Sequence, residues 1–250
     1  MSPTRVIEPP LDFAALNRQF AQSEPTDLIA WADQTFGSGL VLSTSFGAQS
    51  AVMLHLVTRV VPGIAVIWID TGFNFSQTYT YAEELTKRLK LNLKVYQSDL
   101  SPGRMTALHG RLWEMGADGM DTYHRIRKIE PRDRAFRELN VASWLNGPRR
   151  DQTDLRKSLQ KVENFDGIAK IHPILDWPSR QVHAYMTEHD LPCHPLVAQG
   201  YVSIGDWHST ESVSGSQQER AGRFAGLKQE CGLHVPQTEA ENASRESCGL

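Results

Sequence analysis

Apolar residues recur along the chain in two rhythms. Short apolar runs with β-branched content at 39–45 and 64–70 predict strands buried on both faces, and further strands follow at 92–97, 141–146 and 169–174. Between them the spacing becomes helical. Val52, Leu56 and Val60 share one face of a helix over 48–60, and 75–90 reads as an amphipathic helix. Further helices are predicted near 103–115 and 131–140. Pro178 opens a last helix that runs to about His189. Strand–helix alternation of this kind predicts an α/β fold: an open, mostly parallel sheet with helices on both faces. Residues 1–36 read as a helical preamble and 37–190 as the α/β domain. Over 191–250 the pattern dissolves into Gly, Ser, Pro and polar residues, which predicts a mobile C-terminal segment.

Composition narrows the class. Over 250 residues, 40% are hydrophobic and 22% charged, which fits a globular chain and neither a disordered nor a fibrous one. The greasiest region, 52–69, is broken by His55, Thr58, Arg59, Pro62 and Gly63, so no membrane helix is expected. The first residues lack the apolar stretch of a secretory signal, and the expected compartment is the cytoplasm. Cys193, Cys231 and Cys248 are three scattered thiols with no Cys-x-x-Cys pair, which is not a disulfide framework or a zinc motif. The nine histidines lack metal-ligand spacing, and His55 on an apolar helix face reads as a satisfied core residue. The net charge of −3 argues against nucleic acid as a partner. Between Arg125 and Lys161, however, eleven Lys/Arg face only five Asp/Glu. That concentration suits either a small polyanionic ligand or a solvated helix face.

Four places can carry chemistry. Ser43-Thr-Ser-Phe-Gly-Ala-Gln-Ser50 joins a strand to a helix. Such a turn aims backbone N–H groups at the sheet's C-terminal edge and can receive phosphate through Ser43, Ser45 and Gly47, although taken alone an ordinary helix cap is the favoured reading. Asp70 ends the second strand, where α/β sheets bind ligands; the plain alternative is a cap of the next helix. Arg149 and Arg150 follow a later strand and can fork onto phosphate oxygens or pair with Asp151 or Asp154. Cys231 has no apolar neighbours in sequence, and Arg220, Arg223, Lys228 and His234 nearby favour a thiolate, with Glu230 opposing them.

The order of these motifs resembles a known family. SerThrSerPheGlyAlaGln at 43–49, AspThrGly at 70–72, IleArgLysIleGluPro at 126–131, GlyProArgArgAspGln at 147–152, GlyTyrValSerIleGlyAsp at 200–206 and GluCysGlyLeuHis at 230–234 together are similar to the phosphoadenylyl-sulfate (PAPS) reductases. The resemblance spans roughly 15–235. It implies an adenine-nucleotide α-hydrolase-like fold with a modified pyrophosphate (PP) loop. It implies that Cys231 is the nucleophile and that Lys128, Arg220 and Arg223 hold the phosphosulfate, with Arg149 and Arg150 near the nucleotide and His234 among the substrate-binding residues. Related adenylyl-sulfate reductases carry an iron–sulfur cluster on cysteines. The matching positions here are Tyr123, His124, Asp206 and Ser209, so the resemblance implies no bound cofactor.

The reaction so implied is reduction of 3′-phosphoadenylyl sulfate to sulfite, with reduced thioredoxin or glutaredoxin as electron donor and a homodimer as the assembly. Two alternatives stand beside it: a cluster-free reductase that prefers adenylyl sulfate, and a non-catalytic nucleotide-binding module. An ATP pyrophosphatase of the same fold is disfavoured, because Phe46, Ala48 and Gln49 replace much of the Ser-Gly-Gly-x-Asp-Ser loop it needs. Cys248, in a short echo of the Cys231 motif, is given no role.

Overall fold

The computed structural model describes residues 11–212. Its centre is a six-stranded sheet of β1 (Leu40–Thr44), β2 (Ala65–Ile69), β3 (Asn92–Tyr96), β4 (Ser143–Leu145), β5 (Val162–Phe165) and β6 (Ile168–Ile171), in the order β3-β2-β1-β4-β6-β5. All neighbours pair in parallel except β5 and β6. The sheet is therefore of the expected class, with one antiparallel edge.

Side chains alternate across the sheet and divide the core in two. Leu40, Leu42, Val66, Trp68, Leu145 and Ile171 face one layer. Against it pack α2 (Pro25–Phe36), α3 (Ser50–Val60), α4 (Ser76–Leu89) and α8 (Ser179–Glu188). Val41, Ile67 and Trp144 face the other layer and meet Ala135 and Phe136 of α7 (Glu130–Glu138). Helices thus cover both faces.

Three segments differ from the sequence reading. The helix expected over 103–115 is α5 (Pro102–His109), followed after Gly110 by a short 3₁₀ turn at Leu112–Glu114. The helix expected over 131–140 is the end of a longer rod. It begins as α6 (Gly116–His124), passes through a π turn at Arg125–Ile129, and continues as α7. Pro131 has no N–H to give the ladder, and the Glu130 N–H instead reaches five residues back to the Arg125 carbonyl. Strand β5 was not expected; it forms a hairpin with β6 through Asp166 and Gly167, both at positive φ. The short helix α1 (Phe13–Gln19) precedes α2, and Leu28, Ile29, Ala32 and Phe36 of α2 belong to the main core. Among the described residues no helix is long and apolar enough to cross a membrane.

Candidate functional site

Strand order reverses at β1: β2 and β3 lie on one side of it and β4 on the other. Loops leaving β1 and β4 at their carboxyl ends must diverge there, and a crevice opens. A cleft of about 270 Å³ fills this place, lined by the loop after β1, the Asn146–Arg149 segment after β4, the π turn and the 202–206 segment.

The loop after β1 is pinned from below. Phe46 takes a left-handed φ of 48°, buries its ring completely and meets Trp68 edge-on at 4.9 Å. The Phe46 N–H donates to Thr44 Oγ1, and the Ser50 hydroxyl donates to the Gly47 carbonyl at 2.9 Å. These bonds fix the turn into α3, whose N-terminus opens on the cleft. Ser43 and Gly47 line the cleft half-buried, and Ser45 is exposed at it. The Ser43 oxygen accepts the Trp144 indole N–H at 2.6 Å and keeps its own proton to donate.

Lys128 lies on the π turn and reaches the cleft buried. Its ammonium sits 2.7 Å from Asp206 Oδ2. The other oxygen of Asp206 accepts the Thr71 hydroxyl. Burial pushes the Asp206 carboxyl up, but Lys128 and Thr71 outweigh it and hold the group well below the usual carboxylate range. The 200–206 motif is thereby strapped to the end of β2, an attachment that Asn74 and Phe73 extend through backbone pairing with Asp206 and Trp207.

Asp70 does not enter the cleft, and it is not the cap of α4, where Phe75 stands. Its Oδ1 accepts from the Gly72 N–H, Asn74 and Tyr79, and its Oδ2 accepts from Gln97 at 2.6 Å. The carboxylate organises the turn that carries Thr71. Burial and the Asp70 contact push the Tyr79 hydroxyl up to about 12. Gly72, at φ +73°, has room for no side chain, since a Cβ would lie 2.6 Å from Pro102 Cγ. Arg127 closes the same turn by donating to the Thr71 and Leu100 carbonyls.

The two arginines after β4 part company. Arg149 lines the cleft, buried, and donates to Asp151, Gln49, Ser179 and the Trp177 carbonyl. Arg150 lies outside the cleft and donates to the Leu159 carbonyl and Asp176. Only Arg149 of the pair lines the cleft, and the alternative reading, its pairing with Asp151, is the one seen; Asp154 pairs with Lys157.

Sequence reasoning gave no individual site role to Arg132, Asn146 or Arg156, which line the cleft. Arg132 follows Lys128 by four residues, a helical spacing that was visible. Arg156 donates to Gln152 across one turn. Asn146, next to the singled-out Gly147, gave no signal of its own. Among the described residues the cleft's cations are partly balanced by nearby carboxylates: Lys128 by Asp206, Arg132 by Asp133 and Arg149 by Asp151. Cys231, Arg220, Arg223 and His234 lie outside the described residues.

Tyr123, His124, Asp206 and Ser209, the four positions that the resemblance singled out, lie near one another. Lys128 lies 2.7 Å from Asp206 and 5.7 Å from the centre of the Tyr123 ring. His124 adjoins Tyr123, and the Ser209 N–H donates to the Asp206 carbonyl at 3.1 Å. Around them stand rings, with His208 stacked on Trp113 at 4.3 Å and edge-on to Tyr123 at 4.8 Å. Among the described residues no three His, Cys, Asp or Glu side chains gather as metal ligands.

The family model described as the phosphoadenosine phosphosulfate reductase domain matches residues 39–212. A phosphoadenosine 5′-phosphosulfate reductase of Synechocystis sp. is 52% identical over 242 residues, covering 96% of this chain and 97% of that protein. The crystal structure of a PAPS reductase from Candida auris, a phosphate complex, superposes with a TM-score of 0.71 at 34% identity, over 80% of this chain and 96% of that one. An FMN adenylyltransferase of Candida glabrata shares the fold alone, at a TM-score of 0.53 and 13% identity over 95% and 82% of the two chains.

Proposed function

The chain belongs to the phosphoadenosine phosphosulfate reductase family, and from that premise we propose that it reduces 3′-phosphoadenylyl sulfate to sulfite and adenosine 3′,5′-bisphosphate at the expense of a thioredoxin or glutaredoxin. The observation that carries the reading is the cleft at the β1–β4 switch point, where a serine-bearing loop faces the buried ammonium of Lys128.

In this mechanism the Cys231 thiolate attacks the sulfonate sulfur in line. The bond from that sulfur to the phosphate oxygen breaks, and adenosine 3′,5′-bisphosphate leaves with the electron pair. Cys231 then carries an S-sulfonate. A thiolate of reduced thioredoxin attacks Cys231 Sγ and expels sulfite; its second thiol resolves the mixed disulfide, leaving oxidised thioredoxin and the Cys231 thiol. Anionic nucleophile and anionic substrate repel, so the step needs positive charge at the sulfonate. Lys128 supplies part of it from the described cleft, and Arg220, Arg223 and His234 complete it in this proposal. Ser43, Ser45 and Gly47 hold the nucleotide, and Arg149 shapes the wall behind it.

The proposal uses no iron–sulfur cluster, because a phenol, an imidazole, a carboxylate and a hydroxyl stand where four thiolates would be needed. A cytoplasmic homodimer is its assembly.

Intact mass spectrometry tests the reading. Mixing the protein with 3′-phosphoadenylyl sulfate and no reductant is expected to add one sulfonate, which reduced thioredoxin then removes. Cys231→Ser is expected to show neither adduct nor sulfite release. Sulfite production at the wild-type rate by Cys231→Ser would end the mechanism.

A further inference from the structure

Asn146 stands at the carboxyl end of β4, where its N–H extends the ladder by donating to the Ile171 carbonyl at 3.0 Å. Its side chain lines the cleft and is only 2% exposed. Among the described residues, neither its amide nitrogen nor its amide oxygen has a hydrogen-bond partner. Two unmet polar atoms on one buried group are costly, and a protein that keeps such a group at the wall of a ligand cleft holds it ready for a ligand.

The surroundings define what that ligand group is. The wall here is apolar: a Cβ on the adjoining Gly147 would lie 2.7 Å from Met53 Cγ and 3.8 Å from Ile174 Cδ1. The neighbouring cation, Arg149, already binds Asp151, Gln49 and Ser179. A phosphate oxygen only accepts, so it would pair with the amide nitrogen and leave the amide oxygen facing an anion. A group that donates and accepts at once satisfies both atoms.

We propose that Asn146 is a specificity-determining residue that contacts the nucleoside half of the substrate, reading a neutral donor–acceptor group. Two sources have that chemistry. The adenine edge offers an amino donor beside a ring acceptor, the pairing that asparagine makes with adenine elsewhere. The ribose 2′-hydroxyl donates and accepts on one oxygen. The inference rests on the nucleotide-reductase reading above.

Calorimetric titration with adenosine 3′,5′-bisphosphate, its inosine counterpart and its 2′-deoxy counterpart tests the assignment. Wild-type binding of adenosine 3′,5′-bisphosphate checks the functional reading by itself; its absence would remove that reading and the inference with it. Asn146→Leu, similar in shape, is expected to weaken binding about tenfold or more while ligand-free thermal stability stays at or above that of wild type. Asn146→Ala is expected to weaken binding likewise. If the base is read, inosine costs wild type affinity and costs Asn146→Leu nothing further; if the sugar is read, the 2′-deoxy compound behaves so. Three results overturn the assignment: binding within twofold of wild type in Asn146→Leu, a fall in ligand-free stability of several degrees in that variant, or full additivity of the variant with both analogues.

Discussion

Lys128 and Asp206 form an ion pair with almost no access to water, so each residue is both a structural partner and a charge in the cleft. Removing one of two paired buried charges strands the other, which costs roughly 3–5 kcal/mol. Lys128→Ala is therefore expected to lower both stability and kcat/KM, while Lys128→Ala combined with Asp206→Ala regains most of the stability and none of the activity; urea unfolding and steady-state rates separate the two effects. The pair also sets an acid limit. Asp206 is more acidic in the folded protein than an ordinary carboxyl near 3.9, so its contribution is present above about pH 4 and is lost as pH falls below that. Asp206→Asn is expected to flatten the stability profile below about pH 4, measured by circular dichroism along an acid titration. At this scale Lys128 and Ser43, both singled out in the sequence, line the cleft, because a motif marks the residue and the switch point fixes its place. They part at Arg150 and Asp70. Arg149 has extended backbone (φ −126°, ψ 146°), where consecutive side chains leave on opposite sides, so adjacency in sequence did not mean adjacency in the cleft. Asp70 sits at the expected strand end, but local donors at Gly72, Asn74, Tyr79 and Gln97 consume its carboxylate first.

At the scale of elements, long strands and amphipathic helices were legible from period alone, and the irregular joints were not. A π turn inserts one residue into a helix and leaves no compositional trace beyond Pro131, yet it buries both Arg127 and Lys128. The β5–β6 hairpin did carry a signal, Asp166-Gly167, and β6 falls in the strand expected over 169–174, but β5 reads Val-Glu-Asn-Phe, too polar to register as a buried run. Some joints are held by buried histidine. His194 accepts the Leu196 N–H at 3.2 Å, capping a short helical turn, and its other ring nitrogen lies 3.0 Å from the Thr78 hydroxyl on α4. Burial lowers its pKa to about 4. Unfolded histidine titrates near 6.5, so folding is fully favoured above that pH and loses free energy as pH falls from about 6.5 to about 4, where the unfolded chain binds a proton that the folded one refuses. Asparagine can cap the same turn without titrating. His194→Asn is therefore expected to shrink the fall in melting temperature between pH 6.5 and 4.5; an unchanged pH slope would show that His194 takes up its proton equally in the folded and unfolded states.

Over the whole molecule, the sheet has two edges, and an exposed edge invites pairing with another chain. At the β5 edge, α1 covers it: Asn17 donates to the Val162 carbonyl at 2.8 Å and accepts the Val162 N–H at 3.0 Å, imitating a further strand. Lys161 adds a second tie, its ammonium donating to the Phe20 and Ala21 carbonyls just beyond α1. The helical preamble was legible as helix, but not as an edge cover, because the contact joins residues 145 positions apart and lies in one asparagine side chain. This closure sits at the sheet's margin, away from the β1–β4 crevice, so stability and catalysis should separate there. Asn17→Ala leaves two backbone groups of Val162 without partners, a loss of about 1–2 kcal/mol. In a chain of this size that corresponds to a fall in melting temperature of roughly 2–8 °C. Hydrogen exchange at Val162 should quicken, while exchange in β1 and β4 and the reductase rate well below the transition stay at wild-type values. Equal acceleration of exchange in β1 would mean that α1 supports the entire sheet and is no mere cover for its edge.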